Sequence, residues 1–154
     1  PIEPETMARL KDAEHVAAIK WNYPTEDGYD KMKEFSDEFN VIDNSGQNVR
    51  CRKNGGAGMV SAFGPAYPKH DIKVWNLLET GKYEEAEALQ NSFSETIGPA
   101  LAKIGSNSGG YRAARGMMEL IGHPVGPPRL PTEPLTSEEL SELKAGMEKL
   151  GWLD

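Results

Sequence analysis

The chain has a single cysteine, Cys51, in 154 residues. That excludes an intrachain disulfide and a thiolate metal cluster. Cys51 reads as a small buried hydrophobe rather than a reactive thiol. Histidine is nearly as sparse: His15, His70 and His123 show no metal-ligand spacing, so no metal is assigned. Positive charge is also short, with 17 Lys plus Arg against 24 Asp plus Glu and a net charge of −7. No basic stripe is available for nucleic acid, and the tightest basic cluster, Arg50, Arg52 and Lys53, reads as a solvated helix face. No apolar run approaches the length of a bilayer span and no signal peptide is visible, so no membrane partner is expected. With no disulfide to form, a reducing cytoplasm is the expected compartment. The chain opens on Pro1 without a methionine, and is expected to be processed, truncated or a piece of something longer.

What is present has a rhythm. Residues 16–20 are a short apolar run that ends abruptly in the amine of Lys20, the pattern of a buried strand. A short helix is expected before it over 5–12. Residues 25–39 read as a second helix, with Tyr29, Met32, Phe35 and Phe39 on its inward face. A second strand at 40–43, a helical piece at 47–53 and a third strand at 59–63 follow. This βαβαβ order with short connections implies a parallel sheet. After Phe63 only helices are expected: 65–81 with Ile72, Trp75 and Leu78 inward, then 83–104, 110–121 and a last helix. Thr136 with Glu139 forms a capping box for that last helix, and Leu140, Leu143, Met147 and Leu150 share one face. Residues 124–134 are proline-rich and read as an extended surface segment.

Chemistry in parallel α/β folds sits at the carboxyl ends of strands. Lys20 stands at such an end. A lysine whose stem lies in an apolar barrel mouth can lose its proton and attack a carbonyl. Trp21 and Tyr23 follow it, either lining a pocket or packing on the neighbouring helix. Three strands cannot close a barrel, since eight strands with their helices take about 250 residues. The strand edges therefore need covering.

Four segments in order resemble the carboxyl-terminal half of the dihydrodipicolinate synthase / N-acetylneuraminate lyase family. The run ending at Lys20 is similar to the family's sixth strand with its Schiff-base lysine. Asp43-Asn44-Ser45-Gly46 resembles the end of the seventh, and Gly55-Gly56-Ala57-Gly58-Met59-Val60-Ser61 the glycine-rich approach to the eighth. Pro128-Arg129-Leu130-Pro131 with the capped final helix resembles the family's ending.

The resemblance implies half of a (β/α)8 TIM barrel, strands six to eight over residues 1–80, followed by a helical extension over 81–154. It implies a cofactor-independent lyase in which Lys20 forms an imine with pyruvate or another 2-oxo acid for aldol cleavage or condensation. Gly46 would allow close backbone approach, Val60 would pack beside the lysine stem, and Ser61 would reach a substrate hydroxyl. The loop that holds the substrate carboxylate and the proton-relaying tyrosine belong to the family's first five strands. The resemblance therefore implies an amino-terminal half-barrel as partner, on the same or a second polypeptide, and a homo-oligomer of whole barrels. The bulky Trp21-Asn22-Tyr23 and the stretch Ala62-Phe63-Gly64-Pro65 depart from the common pattern. They leave dehydration of a 2-keto-3-deoxy sugar acid through the same imine as an alternative, and a non-catalytic scaffold as another.

Overall fold

A computed structural model describes residues 2–105 and 110–153. The chain forms two compact units that meet in sequence between Ser61 and Ala62. This differs from the expected division at 80/81. The helix at Pro68–Glu79 packs against the helix at Tyr83–Ile104 and so belongs to the second unit.

The first unit is a parallel sheet in the order β1 (Ala18–Trp21), β2 (Asn40–Asp43), β3 (Gly58–Met59), with α1 (Pro4–Ala8), α2 (Glu26–Asp30) and α3 (Asn48–Lys53) around it. The register sets Lys20 against Ile42, Trp21 against Asp43, and Ile42 against Gly58. This is the parallel half-barrel sheet that the sequence implies. Because successive residues of a strand point to opposite faces, the alternation of burial separates the two sides of the sheet. Ile19, Trp21 and Val41 are buried and pack with Met7, Tyr29, Met32, Phe35, Phe39 and Cys51 into one core. Ala18 and Lys20, on the opposite face, are exposed.

Two elements of this unit differ from expectation. Residues 25–39 are not one helix: α2 ends at Asp30 and a 3-10 turn covers Lys31–Glu34. The apolar spacing explains this. Tyr29, Met32 and Phe35 recur every three residues, which is the 3-10 period, and all three are buried. The third strand is two residues long rather than five. Its partner β2 ends at Asp43, and the last ladder bond is Val60 N–H to the Asp43 carbonyl at 2.8 Å. The glycine run entering β3 has two distinct local causes. Gly55 sits at φ +89°, and a Cβ on Gly56 would collide with Cys51 Sγ and lie 2.8 Å from the Cys51 carbonyl oxygen.

The second unit packs α4 (Pro68–Glu79), α5 (Tyr83–Ile104), α6 (Tyr111–Leu120) and α7 (Ser137–Lys149). Its core holds Ala66, Ile97, Ile104, Ala113, Met117, Leu143 and Met147. The capping box is formed: Glu139 N–H donates to Thr136 Oγ1 at 3.2 Å and Thr136 N–H to Glu139 Oε2 at 2.8 Å. On α4 the buried positions are Val74 and Leu78, four residues apart, while Ile72 is 58% exposed, so the inward face is rotated from the expected one. Arg112 ties α6 to the segment before α7, donating to the carbonyls of Ile104, Glu133 and Pro134 and to the Glu139 carboxylate. Trp152 stacks between Tyr67 at 4.7 Å and Phe93 at 5.4 Å, with His70 5.4 Å away. No described helix is long and apolar enough to cross a membrane.

Candidate active site

Lys20 lies one residue from the carboxyl end of β1, on the face where Ala18 and Lys20 are exposed. Its register partner Ile42 is half-buried on the same face, and Gly58 follows across β2, leaving Ile42 carbons 3.5 and 3.6 Å from where a Gly58 Cβ would be. Val60, two residues beyond Gly58, is 45% exposed. The three strands thus carry a small uncovered surface of Lys20 flanked by aliphatic and glycine positions. Gly46, at φ +78°, lies in the exposed loop after β2, and Ser61 is exposed just beyond β3. Gly46, Val60 and Ser61 therefore all follow carboxyl ends of the sheet.

The opposite face is built to hold those strand ends still. Trp21 is buried, so it is not a pocket rim residue. Its ring meets Phe35 edge-on at 5.1 Å, and its Nε1 donates to the Tyr29 carbonyl at 3.1 Å. Tyr23 stacks on Trp21 at 5.7 Å and donates its hydroxyl to Glu3 at 2.9 Å. Both rings pack on their own unit's helical side.

Sequence reasoning missed Asp43. Its carboxylate is fully buried at the end of β2, where Oδ1 accepts from the Tyr29 hydroxyl at 2.7 Å and from Ser45 N–H and Oγ at 3.1 and 2.7 Å. Oδ2 is buried without a hydrogen-bond partner among the described residues. Burial, then the bond to Asp43, pushes the Tyr29 phenol above its usual range, and burial likewise raises the Cys51 thiol. The one available signal was an acid at a strand position that alternation makes inward. The basic cluster is also more engaged than expected. Arg50 forms a fork with Asp30 at 2.7 and 3.0 Å and reaches Glu26 at 3.0 Å, and its hydrogen bonds lower Asp30 to about 2. Arg52 donates to the Gly56 carbonyl at 3.0 Å.

Among the described residues no group of three or more His, Cys, Asp or Glu could hold a metal ion. A cavity of about 450 Å³ in the second unit is lined by none of the predicted site residues. Its Arg112 and Arg115 are spent on backbone carbonyls of the proline-rich segment.

The sequence profile of the dihydrodipicolinate synthetase family matches residues 1–150. The chain belongs to that family. It is 28% identical over 144 residues to a 4-hydroxy-tetrahydrodipicolinate synthase from Parabacteroides distasonis, covering 90% of this chain and 47% of the relative. A synthase of the same name from Corynebacterium aurimucosum is 25% identical, with 99% and 49% covered. Among solved structures, the dihydrodipicolinate synthase of Thermotoga maritima superposes with a TM-score of 0.82 at 23% identity, over 97% of this chain and 51% of that one. YagE, a family member from E. coli solved in complex with pyruvate, gives 0.77 at 18% identity with 97% and 51% covered. The chain spans about half the length of the curated relatives it matches.

Proposed function

We propose that this chain supplies the imine-forming part of a lyase of the aldol type, acting on pyruvate or another 2-oxo acid through Lys20. The observation that carries the reading is the placement of Lys20 at the carboxyl end of a parallel sheet, on its uncovered face, in a chain of this family. The Lys20 amine attacks the keto carbon, and loss of water leaves an iminium. The iminium draws electrons from the adjacent carbon, so a proton is lost there or a carbon–carbon bond breaks. Gly46 gives the substrate close approach to backbone, Val60 packs beside the lysine stem, and Ser61 reaches a substrate hydroxyl.

The described residues leave the lysine exposed, and an amine must be desolvated to be neutral near pH 7. An amino-terminal half-barrel, on the same or a second polypeptide, provides that cover and the groups that hold the substrate carboxylate. The half-length match to the relatives and the open strand edges support this. Whole barrels then assemble as homo-oligomers.

The test is trapping with pyruvate and borohydride, followed by peptide mapping, with and without the amino-terminal half. The expected result is a reduced adduct confined to Lys20, absent from Lys20→Arg and strongest in the completed barrel. A completed, folded barrel with no adduct overturns the reading and leaves a scaffold. Release of pyruvate plus an aldehyde from candidate sugar acids marks an aldolase; loss of water alone marks a dehydratase.

A further inference from the structure

We propose that Asp43, braced by Tyr29, is a positioning residue for the imine site, holding the loop after β2 in the single conformation that meets the substrate. The inference rests on the imine reading of Lys20 above. A polar carboxyl group is costly to bury unless it is hydrogen-bonded, and an apolar residue would pack under the sheet more cheaply, so Asp43 needs a reason in its bonds. Those bonds run from one strand end to the next. Trp21, directly after Lys20, is tied through Nε1 to the Tyr29 backbone. The Tyr29 hydroxyl is tied to Asp43 Oδ1 at 2.7 Å, and the same oxygen takes both Ser45 N–H and Ser45 Oγ.

An aspartate that accepts from the residue two positions on closes a tight turn of its own backbone. Asn44 N–H meanwhile donates to the Trp21 carbonyl at 2.9 Å, extending the ladder one residue beyond β2. Gln47 Nε2 reaches Ser45 Oγ at 3.4 Å, which carries the network to the start of α3. The loop 44–46 is thereby pinned at its first residue to the residue after Lys20 and at its second to Asp43. Gly46 reverses the chain at φ +78° immediately afterwards. The brace lies on the opposite face of the sheet from the lysine, so Asp43 acts through the loop and does not touch substrate.

The prediction concerns binding of the 2-oxo acid more than the trapping rate at saturation, because the loop and not the lysine is released. The experiment measures the rate of borohydride trapping at Lys20 against pyruvate concentration in the completed barrel. Asp43→Ala is expected to raise the half-saturating pyruvate concentration about tenfold and to leave the maximal rate within about threefold. Asp43→Asn keeps the Oδ1 acceptor and is expected to stay within about threefold of wild type in both quantities. Ser45→Ala, at an exposed residue, removes the hydroxyl's bond to Asp43 and the longer one from Gln47 while keeping the Ser45 N–H bond, and is expected to raise half-saturation about threefold. Ile97→Val, a core change in the second unit, controls for lost stability and is expected to move neither quantity. Half-saturation unchanged in Asp43→Ala and Ser45→Ala while the melting temperature falls would overturn the inference, as would equal impairment of the Asn and Ala variants. Absence of any adduct in the wild-type barrel would instead overturn the imine reading, and this inference with it.

Discussion

The uncovered face of the sheet can be challenged with a single charge. Val60 is 45% exposed and sits past β3 on the side of Lys20 and Ile42. If an amino-terminal half-barrel closes over that side, Val60 loses its remaining exposure, slightly under half of its surface. A fully buried aliphatic side chain contributes about 1.5–3 kcal/mol, so covering Val60 contributes about 1 kcal/mol to assembly. Val60→Arg forfeits that and places a permanent cation in a closing apolar barrel mouth, at a cost of several kcal/mol. The sum is about 4 kcal/mol, or about a thousandfold in the association constant. The chain alone should hardly notice, since the position is exposed and outside both cores, and its stability should change by about 0.5 kcal/mol or less. The assay is titration calorimetry against the amino-terminal half, with the melting temperature of the chain alone as the folding check. Val125→Arg, the same charge at a residue 54% exposed in the proline-rich segment, serves as control and should leave binding intact. If Val60→Arg binds like wild type while folded, this face is not the one that the half-barrel covers.

Other positions give further expectations. Gly56→Ala drives a methyl against the Cys51 carbonyl and sulfur and should cost about 1–3 kcal/mol in urea unfolding, whereas Gly46→Ala meets no atom within 4 Å and should cost only the strain of its positive φ, about 1 kcal/mol. Arg112→Met removes the ties to the Ile104, Glu133 and Pro134 carbonyls and leaves Glu139 short of a partner, and should lower stability by about 2–4 kcal/mol by the same measurement. Burial against Phe93 and Trp152 depresses the His70 pKa, an effect to which Lys73 adds and which Asp71 opposes. The unfolded chain therefore takes up the proton first, so this contribution is intact above 6.5 and is lost as pH falls from there toward the lower folded value. Unfolding at about pH 8 and about pH 5.5, followed by tryptophan fluorescence, should show that loss in wild type and a smaller one in His70→Phe.

Much of the fold could be read without coordinates. The boundaries of β2 at 40–43, of α5 at 83–104 and the capping box at Thr136 match the expectation, because each is set by local chemistry: a short apolar run between polar flanks, a long amphipathic period, a side-chain cap. The order of these pieces also sufficed to recognise the family and to identify Lys20 as the candidate nucleophile. The 3-10 turn at Lys31–Glu34 is not legible in the sequence, because a spacing of three fits either helix type over a short stretch. β3 is shorter than its apolar run because a strand extends only as far as its neighbour does, and that neighbour, β2, ends at Asp43 on the far side of an intervening helix.

What the sequence determined alone is the inventory and its periodicity: parallel strands, helices, one lysine closing an apolar run, and too few strands to close a barrel. Alternation along a strand divides its residues between two faces but does not say which face is covered. Only the tertiary structure decided that Trp21 goes beneath the sheet while Lys20 stays in the open, and that Val74 rather than Ile72 faces inward. It also decided that the acid at position 43 lies in the core. Burial is a property of what packs against a residue, and Asp43 is tolerated there because Tyr29 and Ser45, distant and near in sequence, converge on one oxygen only after the chain has folded.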